Sequence, residues 1–343
     1  MKTNNELNSI LSEASERYGY KNLQLKKNIE GWGGTLRLKV SNNNKNFFLK
    51  EKVNYLTEEE FYRKTLMHRK LASSQCPIVP ILSNNDGIPF CKIKERLFEM
   101  MPWLEGNLLK RDIHDLKKLA AAINKFQTLT NKYFPKELKD SEFLNYPSKR
   151  IELFPDKPLE IKKYFNFFYS CKISNLFDNK LLENLSSIND QLINSVNWKK
   201  LDISWIHGDP GLDNAISLYN TVFLFDLDNL RIGYRIWDIT RICSFLGSFK
   251  VIDGEKRELY DKWNINEMKA LISGFCDKTQ ISKVEKADFI KLIGIHTIMG
   301  FIAEYDIDDS FDRTFKLYNN DINNELKKLI KLLNKLNKLN ILK

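Results

Sequence analysis

Short stretches of alternating apolar and polar residues open the chain, and longer stretches of helical periodicity follow. Leu23 to Ile29, Thr35 to Val40 and Asn46 to Val53 read as three strands, the second with Leu36, Leu38 and Val40 on one face. Glu30-Gly31-Trp32-Gly33-Gly34 separates the first two strands, and Ser41-Asn42-Asn43-Asn44 turns the chain into the third. A helix is predicted from Thr57 to about Leu71, with Glu60, Met67 and Leu71 on one face because their offsets complete near-whole turns. Asn84-Asn85-Asp86-Gly87 is a turn, and Phe90 to Met101 holds two more strand-like segments. From Asn107 to about Lys200 the pattern is helical, and Asp112 to Thr130 aligns Leu116, Leu119, Ala120, Ile123 and Phe126. Val222-Phe223-Leu224-Phe225 reads as a buried strand. The last third is helical again. It ends in Asp321 to Lys343, where Ile322, Leu326, Leu329, Ile330, Leu333 and Leu336 oppose a lysine-rich face.

The chemistry concentrates in residues 203–241. His207-Gly208-Asp209 lies on a loop, since Pro210 and Gly211 oppose helix, and Asn214 follows five residues after the aspartate. Asp226-Leu227-Asp228 sits at the end of the apolar run, so that strand delivers its carboxylates to a terminus. Phosphoryl transfer needs such parts: one carboxylate to orient a hydroxyl and accept its proton, and hard oxygen ligands to hold magnesium against a triphosphate. Gly31, Gly33 and Gly34 form a turn whose backbone amides can approach phosphates, although an ordinary β-turn uses glycine for the same conformational freedom.

Asp209, Asn214 and Asp226 match the protein-kinase catalytic pattern in order and spacing. With His-Gly-Asp in place of His-Arg-Asp, the chain resembles the aminoglycoside phosphotransferase and choline kinase superfamily. Phe225-Asp226-Leu227-Asp228, with Asp238 in Trp-Asp-Ile, resembles its homoserine-kinase and spore-coat-kinase branches. The resemblance implies a bilobal, protein-kinase-like α/β (α+β) fold. Residues 1–100 would form a small β-rich N-lobe with one helix, and 101–343 a larger, mainly helical C-lobe. It further implies a kinase that uses ATP and Mg²⁺ to phosphorylate a hydroxyl of a small acceptor: an antibiotic, a homoserine-like amino acid or a choline-like amino alcohol.

In that scheme Asp209 orients and deprotonates the acceptor, and Asn214 and Asp226 hold Mg²⁺. Lys50, closing Phe47-Phe48-Leu49-Lys50, grips the phosphates. Glu60 has two readings: an ion pair to Lys50, with Glu59 in reserve, or a capping box with Thr57. Arg96 to Gly106 resembles the hinge, where the carbonyl of Glu99 and the amide of Met101 would meet the adenine edge. Asp238 is expected to brace the catalytic loop through backbone hydrogen bonds, and His207 to pack. Gln127 stands where the family tends to carry histidine. Asp228 either supports the metal or satisfies a turn. Residues 131–170, rich in Pro, Lys and aromatics, look like an insertion flanking the acceptor site. Glu304, Asp306, Asp308 and Asp309 form either an acidic wall for an aminated acceptor or a solvated turn. A protein kinase is disfavoured by the absence of an Ala-Pro-Glu segment and because Asp238 follows Asp226 by only twelve positions. A non-catalytic nucleotide-binding scaffold is disfavoured because it would be free to lose these residues.

Composition changes this picture little. The 343 residues carry a net charge of +10, but the lysines are spread among asparagines and no nucleic-acid motif occurs, so no nucleic-acid partner is expected. No apolar stretch is long enough to span a membrane, and the basic terminal helix is expected to pack its apolar stripe on the large lobe rather than on a membrane surface. Five scattered cysteines without a CxxC pair point to reduced thiols, no zinc site and a cytoplasmic protein.

Overall fold

The computed structural model describes residues 4–29, 35–43, 45–52, 57–135, 158–170, 177–251, 257–260, 262–276, 280–305 and 322–339. The chain divides into two compact units, Met1–Leu108 with Asn214–Leu230, and Leu109–Asp213 with Arg231–Lys343. The first unit therefore ends at Leu108 rather than at residue 100, and it takes back a hairpin from the middle of the sequence.

In the first unit, β1 (Gln24–Asn28), β2 (Arg37–Asn42), β3 (Lys45–Glu51), β4 (Cys91–Ile93) and β5 (Arg96–Pro102) form an antiparallel sheet of order β1-β2-β3-β5-β4. Alternation buries Leu38 and Val40 of β2 and Phe47 and Leu49 of β3. Helix α1 (Asn4–Arg17), an element the sequence reading left unassigned, joins this core through Ile10, Leu11 and Ala14, with Tyr18 just beyond its end. Helix α2 (Glu58–Ala72) buries Phe61 against Phe90. β6 (Asn107–Leu108) pairs with β8 (Ala215–Leu218), which pairs with β9 (Thr221–Leu224).

The second unit is mainly helical. Helix α3 (Ile113–Tyr133) buries the stripe read from the sequence: Leu116, Leu119, Ala120, Ile123 and Phe126. The helices α4 (Pro158–Ser170), α5 (Asn179–Ser195), α6 (Trp237–Ser248), α7 (Ile265–Cys276), α8 (Lys283–Tyr305) and α9 (Ile322–Asn334) follow in chain order. A Cβ at Gly274 would lie 2.2 Å from the Lys117 carbonyl oxygen, so only glycine lets α7 approach α3 this closely. The terminal helix α9 buries Leu326, Leu329, Ile330 and Leu333, and the Leu332 carbonyl accepts the Trp263 indole N–H at 3.0 Å, so its apolar stripe packs within this unit. Antiparallel β7 (Ile203–Ile206) and β10 (Arg231–Tyr234) pair, and the His207–Asp209 segment follows β7. No helix among the described residues is long and apolar enough to cross a membrane. The described cysteines Cys76, Cys91, Cys243 and Cys276 form no disulfide with one another, and burial pushes the Cys91 thiol up to about 12.

Candidate active site

Asn214 and Asp226 are brought together by the β8–β9 hairpin. Its turn residues Tyr219 and Asn220 have φ of 48° and 63°, the left-handed pair whose twist matches that of antiparallel strands. Ala215 opposes Leu224, and the Phe225 N–H donates to the Asn214 carbonyl at 3.0 Å, so Asn214 and Asp226 stand at the two feet of one hairpin. Leu224 is tied to Pro77 and Val79 by backbone hydrogen bonds of 2.8 and 2.9 Å. Asp226 itself adopts φ 63°, ψ 56°. A non-glycine residue held left-handed costs about 1–3 kcal/mol, and such strain persists where surrounding structure over-determines it.

Lys50, buried on β3, directs its ammonium at this foot. Nζ lies 2.6 Å from Oδ1 of Asp226 and 2.9 Å from Oδ2 of Asp228. Arg37, opposite Lys50 on β2, brings Nη2 to 3.8 Å from Oδ2 of Asp226, and its own Nε is buried without a hydrogen-bond partner. Lys52 donates to both Glu99 and Oδ1 of Asp228, and Lys64 of α2 donates to the Asp228 carbonyl at 2.8 Å. Burial alone would lower the Lys50 pKa, but the carboxylates of Asp228, Asp226 and Glu99 outweigh it and leave the ammonium raised. Burial would likewise raise Asp228, yet Lys50 and Lys52 hold its carboxyl well below the usual range. For Glu99 burial prevails over Lys52 and Lys50, and its carboxyl is raised. Asp228 thus holds two lysines with its two oxygens.

Two expectations need correction. Glu60 does not pair with Lys50: its Oε2 accepts the Thr57 amide at 2.8 Å and the Thr57 hydroxyl at 3.0 Å, and Thr57 Oγ1 accepts the Glu60 amide at 3.2 Å. The capping box wins because the first turn of α2 has amides to satisfy, while Lys50 already has two carboxylates. Glu59, the reserve, pairs with Arg63 at 2.6 Å. Nor do Glu99 and Met101 offer their backbone groups to an adenine edge. Lys52 N–H bonds Leu97 O and Trp103 N–H bonds Asn46 O, so between them the register makes Glu99–Lys50 and Met101–Phe48 the hydrogen-bonded pairs of the β3–β5 ladder. The backbone of the intervening residues faces the other side, where Met100 O accepts the Leu82 amide at 2.8 Å. A one-residue slip in a strand reverses which side its groups face. Around Met101, buried Val79 and Ile81 cluster with the partly exposed Phe48, Leu104, Ile216, Phe223 and Phe225.

In the second unit, Gly208 has φ 82°, a backbone that favours glycine and accounts for the glycine of His-Gly-Asp. The fully buried Asp238 accepts the amides of His207 at 2.8 Å and Gly208 at 2.9 Å. Gln127 Nε2 donates to Asp238 Oδ2 at 3.1 Å and to the Arg235 carbonyl at 3.0 Å, giving it the structural place expected of it. His207 is buried edge-on to Phe126, as a packing residue would be. Asp209, about one-third exposed at 35% of its side chain, accepts Arg241 Nη2 at 2.6 Å. Arg241, Lys52, Arg37 and Lys64 were not singled out from the sequence. The available signals were spacing alone: Arg241 falls one helical turn after Asp238, and Lys52 shares a strand face with Lys50.

Gly31, Gly33, Gly34, Asp306, Asp308 and Asp309 lie outside the described residues, as does the side chain of Glu304. Asn214 and Asp226 together offer an amide oxygen and a carboxylate, a hard donor pair that fits Mg²⁺, which is held by few protein oxygens alongside water and phosphate.

No family model matches the chain, and no curated protein matches it in sequence. Solved structures match its fold. The amicoumacin kinase hAmiN, in complex with AMP-PNP, Ca²⁺ and Ami, is 13% identical with a TM-score of 0.66, covering 99% of this chain and 95% of its own. A microcompartment-associated aminopropanol kinase is 12% identical at a TM-score of 0.68, covering 97% and 98%. Choline kinase from Cryptosporidium parvum Iowa II is 12% identical at 0.59, covering 98% and 96%. The fold is that of the kinase-like, bilobal α/β phosphotransferases. The likeness to these small-molecule kinases is one of fold.

Proposed function

We propose that the protein is an ATP- and Mg²⁺-dependent kinase that phosphorylates a hydroxyl of a small, amine-bearing molecule. The observation that carries this reading is the meeting of Lys50 with Asp226 at one foot of a hairpin whose other foot is Asn214. A phosphate-gripping cation and two oxygen donors for a divalent ion are thereby assembled on rigid strands.

Asn214 and Asp226 hold Mg²⁺, which when bound neutralises charge on the phosphates. Lys50 and Arg37 supply positive charge to the same phosphates. The apolar cluster around Met101 packs the adenine ring, and the Pro102 carbonyl and Leu104 amide replace Glu99 and Met101 as the groups that read its edge. Asp209 accepts a hydrogen bond from the acceptor hydroxyl and takes its proton as the oxygen bonds to the γ-phosphorus and the bond from that phosphorus to the bridging oxygen of ADP breaks. Aminopropanol and choline, the acceptors named for two fold relatives, each join a hydroxyl to a nitrogen centre, which supports an amine-bearing alcohol as the class tried first.

The test is Mg²⁺-dependent ADP release from ATP against a panel of aminoglycosides, other hydroxylated antibiotics, homoserine, choline, aminopropanol and ethanolamine. Acceptor-stimulated turnover that disappears in Asp209→Asn, with ATP still bound, is the expected result. A wild-type chain that binds no Mg·ATP overturns the reading.

A further inference from the structure

Lys50, Lys52, Glu99 and Asp228 are all more than nine-tenths buried, and they alternate in sign along one chain of contacts. Lys50 and Lys52 are two residues apart on β3 and its extension, so both point to one side of the sheet, and Glu99 lies opposite Lys50 on β5. Asp228 sits in the short turn Leu227–Asn229 that follows Asp226. Its Oδ2 takes Lys50 at 2.9 Å, its Oδ1 takes Lys52, and Lys52 is shared with Glu99. Its carbonyl is held at 2.8 Å by Lys64. Burying four charges is costly unless each is met by an opposite one, and removing one partner leaves an uncompensated buried charge.

Lys50 needs a second anchor for a simple reason. Its other partner, Asp226, is the residue to be given over to a divalent cation, and Glu60 is committed to its helix end. Asp228 is free of both duties. Resting on the kinase reading above, we infer that Asp228 is the positioning residue of Lys50, with Lys52 and Glu99 fixing Asp228 rather than contacting nucleotide. Asp228 then does for Lys50 what the α2 glutamate was expected to do, and it does not ligate the metal.

The experiment measures Mg·ATP binding by calorimetry in the full chain for wild type, Asp228→Asn, Lys52→Met and the double variant, with thermal melts alongside. An acyl-phosphate ATP probe, which acylates lysines beside bound phosphates, is mapped on the same proteins. Labelling is expected at Lys50 and not at Lys52. Asp228→Asn should weaken Mg·ATP by about 10- to 100-fold, the effect of losing one charge-assisted hydrogen bond, and should reduce Lys50 labelling. Lys52→Met should act in the same direction, and its effect should vanish in the Asp228→Asn background. Melting temperatures that drop while affinity and labelling stay at wild-type values would make the network merely structural and overturn the inference. So would a loss of affinity in Asp228→Asn that excess Mg²⁺ restores, since that marks a metal ligand. If Asp228→Asn does not fold, Lys52→Met decides alone, because unchanged affinity and labelling there overturn the clamp. Wild type that binds no Mg·ATP sinks the kinase reading together with the inference. Wild type that binds while both single variants bind equally well sinks the inference only.

Discussion

Arg241 Nη2 stands 2.6 Å from Oδ1 of Asp209, so the candidate base is oriented by a guanidinium from the helix that also carries Asp238. Arg241 engages one carboxylate oxygen of Asp209. Arg241→Met should lower kcat by about 10- to 100-fold, the worth of a charge-assisted hydrogen bond, with a smaller change in ATP affinity. Steady-state kinetics with the acceptor found by the panel, beside ATP calorimetry, check this split.

The capping role of Glu60 makes a different forecast from a Lys50 partner. Thr57→Ala and Glu60→Ala should each cost about 1 kcal/mol of stability in urea unfolding, because each removes half of one capping box. Mg·ATP affinity should stay at the wild-type value. A large affinity loss in Glu60→Ala alone would restore the ion pair.

Asp238→Ala takes the carboxylate acceptor from the amides of His207 and Gly208, and leaves Gln127 Nε2 with only the Arg235 carbonyl. Hydrogen bonds to a charged group are worth about 1.5–3 kcal/mol each and are not additive, so a loss of about 3 kcal/mol or more is expected. Denaturant unfolding measures it, and Asp238→Asn should recover part.

His296 is buried against the Trp237 ring, 4.2 Å between centroids, and its Nε2 has no hydrogen-bond partner. Burial first, then the charges of Arg241 and Arg231, hold its pKa well below the usual histidine value. The folded state therefore refuses a proton that the unfolded chain accepts below about 6.5. With the folded pKa depressed, stability is unaffected above that value and falls as pH drops below it. The expected loss is about 1.4 kcal/mol per pH unit until the folded-state pKa is reached. Unfolding curves from pH 8 to 5 should show this loss, and His296→Phe should remove its share of the slope.

What could be read from the sequence followed the range of each signal. The strands around Lys50 and the α2 and α3 helices rest on local periodicity, and these elements stand close to where they were expected. Asp238, 31 and 30 positions from the amides it holds, was legible as a brace through the family resemblance and not through local pattern. The Lys52–Glu99–Asp228 chain was not, since it joins residues 47 and 176 positions apart in a chain where lysine is common. Glu99 and Met101 were expected at an adenine edge, whereas their backbone groups are committed to the β3–β5 ladder, for a geometric reason. A hinge motif locates a segment, whereas the direction of each carbonyl depends on a ladder register that no local pattern encodes. Glu60 was ambiguous because a capping box and an inward-facing glutamate use the same residue at the same place.

The return of Asn214–Leu230 to the first unit bears on the order in which this protein can mature as it is made. The sheet around Lys50 leaves the ribosome early, but Asp226 and Asp228, which neutralise its buried lysines, follow only after the 105 residues from 109 to 213 have been added. Until then Lys50 and Lys52 lack those counter-charges, and the strand edge at β6 lacks its β8 neighbour. Nascent chains stalled before residue 214 should therefore hold an N-terminal portion that is protease-sensitive, and chains stalled far enough beyond residue 230 to free the hairpin should not. A single cut in the gene cannot separate the two units, so the first unit is available to evolution or to the experimenter only as a graft of two segments.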